Sequence, residues 1–132
     1  DLHATTRSGA ILGSPRYMAP EQAAGRVADI GPATDVHALG LILYELLTGK
    51  PAFTGLTLLH TLEEVRTHDP PPARAARPGV PRDLDTICAR CLQKEPARRY
   101  PSAGELADDL RRFLDGMPVR ARPVPPWERV VK

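Results

Sequence analysis

Cysteine is scarce in this chain, with only Cys88 and Cys91 among 132 residues. Two thiols cannot build the disulfide framework of a small secreted domain, and they point instead to a reducing, cytoplasmic setting. Aromatic residues are few as well: one Trp, three Tyr and two Phe. That leaves no stacking platform for bases. Lysine is nearly missing, at three residues against fifteen arginines, a skew that genome base composition explains as well as any need for bidentate donors. Charge of one sign does not dominate, and the formal net of +2 removes nucleic-acid binding as the default reading. The longest apolar stretch, around Leu39 to Leu47, is interrupted by Gly40, Tyr44 and Glu45. It falls far short of the ~20 residues that a bilayer demands. Period-two alternation is missing too, so no strand is predicted, and no internal repeat is found.

What is present suffices for one small domain. With 42% apolar and 26% charged residues, a chain of this length buries roughly two-thirds of its extended surface on folding, which excludes wholesale disorder. The N-terminus, Asp-Leu-His-Ala-Thr-Thr-Arg, has neither an initiating Met nor an apolar signal segment, and we expect an excerpt from a longer chain. The basic excess sits at the other end: residues 117 to 132 carry four basic side chains against one acidic, and the remainder sums to −1.

Helix signals divide the chain. Residues 1 to about 17 hold Gly, Ser, Thr and Pro without an apolar period and read as loop. A short helical turn begins after Pro20 and stops by Gly25. The clearest helix runs over 34–48, capped by Thr34 or Asp35 and stopped by Gly49 and Pro51. Its apolar residues cover nearly every face, which predicts a central helix surrounded by protein. An amphipathic surface helix is predicted over 56–66, where Leu58, Leu59, Leu62 and Val65 recur at spacings of three and four. Five prolines between His68 and Pro81 make that stretch a connecting loop. Closing helices are predicted over 82–93 and 102–115, the latter opened by the capping-box spacing Ser102-Ala103-Gly104-Glu105. Residues 117–132 form a Pro/Arg-rich arm that Pro123, Pro125 and Pro126 keep extended.

Three elements in fixed order then carry a resemblance. Gly13-Ser14-Pro15-Arg16-Tyr17-Met18-Ala19-Pro20-Glu21, then Asp35-Val36-His37-Ala38-Leu39-Gly40, then Glu95-Pro96-Ala97-Arg98-Arg99-Tyr100 resemble the C-terminal lobe of bacterial serine/threonine protein kinases. The Ala-Pro-Glu element ends that family's activation segment, and Glu95 stands where the family usually has Asp. The resemblance implies a mainly α fold, the helical lobe of the protein-kinase-like fold without the N-terminal lobe and catalytic loop. Residues 1–116 would be a partial kinase domain, with 1–25 as activation segment and substrate loop.

By the same resemblance, Glu21 and Arg99 form an ion pair that ties the activation segment to the lobe, and losing one partner of such a buried pair costs about 3–5 kcal/mol. Asp35 anchors the catalytic loop. Ser14 stands for a Thr that contacts the catalytic base, and Pro15, Arg16, Tyr17 and Met18 shape the substrate pocket. Thr5, Thr6 and Ser8 are candidate activation-loop phosphosites, where a charge near −2 could order the loop by pairing with arginine. The intact kinase would use ATP and Mg²⁺ and act on a protein substrate.

Phosphoryl transfer requires a Gly-rich cover, a strand lysine, a base Asp, a metal-binding Asn and a second metal-binding Asp. None of these motifs occurs here, and Asp1 is followed by Leu2-His3 rather than Phe-Gly. We therefore expect this segment to bind neither nucleotide nor metal and to transfer no phosphate alone, its partner being the missing N-terminal lobe. The alternative is a non-catalytic helical interaction module from a truncated or degenerate kinase gene.

Three features admit a sharper reading beside a plain one. Cys88-x-x-Cys91 has zinc or redox spacing but lacks a second pair, so helical packing is the expectation. His37 is expected to be packed and hydrogen-bonded rather than a ligand. Trp127 with its basic neighbours fits a juxtamembrane arm leading to an anchor beyond Lys132, or a solvated linker. Uncovered apolar surface is expected to make the isolated chain a marginal, aggregation-prone monomer.

Overall fold

The computed structural model describes residues 17–122, and everything regular in that span is helical. Six α-helices succeed one another: α1 Pro20–Ala23, α2 Pro32–Thr48, α3 Leu58–Thr67, α4 Ala73–Ala76, α5 Arg82–Cys91 and α6 Ala103–Leu114. Two single 3₁₀ turns, Val27–Asp29 and Pro96–Arg98, join α1 to α2 and α5 to α6.

Helix α2 begins earlier than the apolar pattern predicts. Pro32 sits in its first turn, where a fixed φ suits a helix start and a missing N–H leaves nothing unpaired. Thr34 is therefore inside the helix, and its hydroxyl accepts the Gly31 N–H at 3.0 Å. Gly49 ends the helix at φ +78°, a left-handed conformation that only glycine adopts without strain, and its N–H returns to the Glu45 carbonyl.

Helix α3 starts at Leu58, because Thr57 is its cap and accepts the His60 N–H at 3.1 Å. Leu58 and Leu59 face outward, and its buried side chains are Thr61 and Val65. The proline-rich connection admits the single turn α4. Helix α5 stops at Cys91, two residues short of the prediction. Ser102 caps α6, accepting the Glu105 N–H at 3.2 Å.

Helix α2 lies between two cores. On one side Leu41 and Tyr44 join Phe53, Val65, Ala73, Val80, Cys88 and Leu92; on the other Val36 joins Ile87, Cys91, Tyr100, Leu106 and Val119. Gly40 permits the close crossing of α2 and α5, since a Cβ built there would collide with Cys91 Cβ. The Cys88 thiol donates to the Gly40 carbonyl at 3.6 Å, so both cysteines pack against α2.

A third face of α2 corrects the expectation of a helix enclosed on all sides. Asp35, Leu39, Ile42 and Leu46 lie on one exposed stripe, the three apolar residues being 41%, 46% and 74% exposed. Apolarity on every face does not say which face this chain itself covers. The arm is also shorter than predicted. Val119 is buried in the second core, and the Arg120 and Ala121 N–H groups donate to the Asp109 carboxylate at 2.6 and 2.9 Å, so residues 117–122 belong to the folded body.

Candidate functional site

The densest polar cluster joins three stretches of chain. Pro20 sets the first turn of α1 and places Glu21 facing inward. Arg99 comes directly after the 3₁₀ turn Pro96–Arg98 and enters from the opposite side. Both side chains are fully buried, and the contact is bidentate: Arg99 Nη1 donates to Glu21 Oε2 at 2.7 Å and Nη2 to Oε1 at 2.8 Å.

The remaining donors of the guanidinium are also taken. Nη1 donates to the Ala33 carbonyl at 3.0 Å, Nη2 to the Lys94 carbonyl at 3.1 Å and Nε to the Gln93 carbonyl at 2.7 Å. Five N–H groups meet five acceptors, which satisfies arginine completely. The Thr34 hydroxyl adds a 2.7 Å bond to Glu21 Oε2. Burial alone would raise the Glu21 pKa, but hydrogen bonds from Arg99 and Thr34 outweigh it and hold the carboxyl at about 2. The pair is thus fully ionised, fully bonded and dry, and it fastens α1 to the first turn of α2 and to the α5–α6 connection.

His37 is completely buried on the same helix, and neither ring nitrogen has a hydrogen-bond partner among the described residues. This departs from the hydrogen-bonded histidine expected. Burial, with the positive charges of Arg99 and Lys94 behind it, pushes its pKa down to about 3. It is therefore a neutral packing residue. Burial likewise pushes both cysteine thiols up, so neither is a thiolate at neutral pH.

The other candidate residues divide by position. Ser14, Pro15, Arg16, Thr5, Thr6 and Ser8 lie outside the described residues. Tyr17 is half-buried and its hydroxyl donates to Glu45 on α2 at 2.7 Å, while Met18 and Ala19 are buried. Asp35, the chain neighbour of Thr34 in the first turn of α2, is exposed and has no hydrogen-bond partner among the described residues. Four contributors to the cluster carry no motif in the sequence: Thr34, and the carbonyls of Ala33, Gln93 and Lys94. Thr34 offers a signal, a hydroxyl at a helix start, but it reads as a cap.

No Gly-rich loop or strand lysine is in the sequence, and no group of three His, Cys, Asp or Glu side chains among the described residues could hold a metal ion.

The protein kinase domain family matches residues 1–109, and the chain belongs to that family. The serine/threonine-protein kinase PknB of Mycobacterium tuberculosis is 38% identical over 119 residues, 90% of this chain and 19% of that protein. A probable serine/threonine-protein kinase PknB of Bifidobacterium longum is 36% identical over 117 residues, 88% of this chain and 17% of its own length. The chain thus spans about a fifth of these relatives. The twitchin kinase region from C. elegans shares the fold with a TM-score of 0.65 at 23% identity, covering 84% of this chain and 18% of that one.

Proposed function

We propose that this chain is the substrate-binding lobe of an ATP-dependent serine/threonine protein kinase, which passes the γ-phosphate to Ser or Thr of a protein substrate. The observation that carries the reading is the buried Glu21–Arg99 pair, because it fixes the residues after Tyr17 and Met18 against the helical base. In the intact enzyme Asp35 would anchor the catalytic loop, and Ser14, Pro15, Arg16, Tyr17 and Met18 would form the pocket wall. Thr5, Thr6 and Ser8 would be the phosphosites, and ATP and Mg²⁺ would be held by residues outside this chain.

The exposed stripe on α2 supports an incomplete lobe. Covering Leu39, Ile42 and Leu46 would contribute about 1.5–3 kcal/mol for each side chain fully buried, so a missing neighbour has a surface to occupy. Among the described residues no helix is long and apolar enough to cross a membrane; a cytoplasmic domain tethered beyond Lys132 is part of the proposal.

The test is an assay of the purified 132-residue chain with Mg²⁺-ATP and a generic protein substrate, beside the same chain joined to its upstream lobe. Activity is expected only in the joined form, with phosphate found on Thr5, Thr6 or Ser8. Turnover by the chain alone that vanishes in Ser14→Ala would refute the division of labour. An upstream sequence lacking a catalytic Asp would favour a non-catalytic interaction module.

A further inference from the structure

Helix α5 has two faces. Ile87, Cys88 and Cys91 are buried in the two cores, while Thr86, Ala89, Arg90 and Gln93, which follow one another at spacings of three and four along one side, stay at least partly exposed. These four form one wall of a cleft of about 550 Å³, closed by Ala97 and Arg98 of the 3₁₀ turn and by Ala121 of the C-terminal turn. That volume is ordinary for a site that takes a ligand or a peptide side chain.

Both charges in the lining are positive. No Asp or Glu belongs to it, and neither Arg90 nor Arg98 makes an ion pair among the described residues. The adjoining groove, which shares Arg98, sets Asp69, Asp85 and Glu95 against Lys94 and Arg98; a small pit on the other side of Arg90 sets Glu105 and Asp108 against Arg90, Arg112 and Arg120. Each neighbour mixes the two signs, and this cleft does not.

Arg90 is also held ready. Its Cζ lies 4.4 Å from the centroid of the Tyr100 ring, and Tyr100 is itself buried with its hydroxyl donated to Asp109. Stacking occupies a face of the guanidinium and leaves its in-plane N–H edge available, and a side chain already held costs less entropy to bind with. Gln93 Nε2 gives one hydrogen to the Ala89 carbonyl at 3.4 Å and keeps a second. Ala89, Ala97 and Ala121 keep the floor low, so an extended backbone has room to approach. A carboxylate fills a single guanidinium fork, whereas a phosphate monoester brings a charge near −2 and three acceptor oxygens, enough for two. The lining has no aromatic side chain on which a base would stack.

We propose that this cleft docks a phosphorylated Ser or Thr in an extended segment of a partner protein, with Arg90 and Arg98 sharing the phosphate oxygens and Gln93 donating beside them. The inference is independent of the kinase reading above, because it requires no phosphoryl transfer by this chain.

The probe is a fluorescein-labelled peptide, Gly-Ala-Ala-phosphothreonine-Ala-Ala-Gly, titrated with the 132-residue chain and followed by anisotropy. Binding is expected, and it weakens as salt rises. Arg98→Ala, at an exposed position, is expected to bind roughly tenfold more weakly, and Arg90→Lys, which keeps the charge without the planar fork, to lose affinity as well. Both are compared at an unchanged helical far-UV signal. Amide chemical shifts of the parent protein supply a readout that needs no variant: those of Ala89, Arg90, Ala97 and Arg98 are expected to move on adding the peptide. Five results would overturn the proposal: no binding of the phosphopeptide, equal binding of its unphosphorylated or Glu-substituted form, full displacement by an equal concentration of inorganic phosphate, shifts centred on Arg112 and Arg120, or tighter binding of poly-uridine RNA at the same amides.

Discussion

At the scale of single residues, Arg99 concentrates more interactions than any other side chain described. Its guanidinium satisfies a carboxylate and three carbonyls at once, a geometry that lysine, with no planar fork, cannot reproduce. Arg99→Met strands the Glu21 charge in a dry site and is expected to cost about 3–5 kcal/mol, a large part of the roughly 5–15 kcal/mol that holds a domain folded. Urea unfolding monitored by far-UV circular dichroism should show the transition shifted strongly or lost. Arg99→Lys should recover only part of it.

Acid should weaken the same region in two steps. His37 stays neutral in the fold down to about pH 3, while in the unfolded chain it takes a proton near 6.5. The unfolded state therefore binds more protons in that window, and stability falls as pH drops below 6.5. Glu21 adds a second loss as pH falls from 4.5 through about 2, because its depressed pKa favours the fold only while it is ionised. Urea midpoints measured across these windows should decline in both, and His37→Phe should abolish the upper decline while leaving the lower.

Among elements, α2 carries the consequences of two opposite surfaces. Its contact with α5 depends on Gly40, and Gly40→Ala forces a methyl against Cys91 Cβ, an overpacking expected to cost about 1–3 kcal/mol. Thermal unfolding should show it as a lower midpoint. Its open stripe makes the opposite demand: Leu46→Lys removes exposed apolar surface without touching the core. Size-exclusion chromatography should show less self-association and unchanged helicity.

The same helix shows how far sequence can be read. Its termination at Gly49 is plain from residue type, and the apolar period of α3 and α5 locates those helices within two residues. Its start is blurred because proline, threonine and aspartate all serve helix openings. Its exposed face is illegible, since leucine marks a surface that wants covering without saying which chain covers it. Glu21 and Arg99 stand 78 residues apart, beyond any periodicity, so only the motif resemblance suggests their pairing. The backbone carbonyls that complete the site have no residue signature at all.

For the molecule as a whole, the least legible feature is Asp109. An acidic residue on an amphipathic helix reads as solvated, yet this one is fully buried and accepts from the Tyr100 hydroxyl at 2.5 Å, from Arg112 at 3.3 Å and from two N–H groups of the C-terminal chain. Burial would raise its pKa, but these four donors together lower it. Asp109→Ala leaves buried donors unpaired at about 1–3 kcal/mol each. Hydrogen exchange should show the Arg120 and Ala121 amides losing protection.

That buried carboxylate also links the C-terminal turn to the ion-pair clamp. Arg122 is held by Asp83 and the two residues before it by Asp109, whose hydroxyl donor, Tyr100, is the covalent neighbour of Arg99. The Asp109 network that fastens the C-terminal turn therefore ends one peptide bond from the Glu21 clamp, so the two buried carboxylates share one short stretch of backbone.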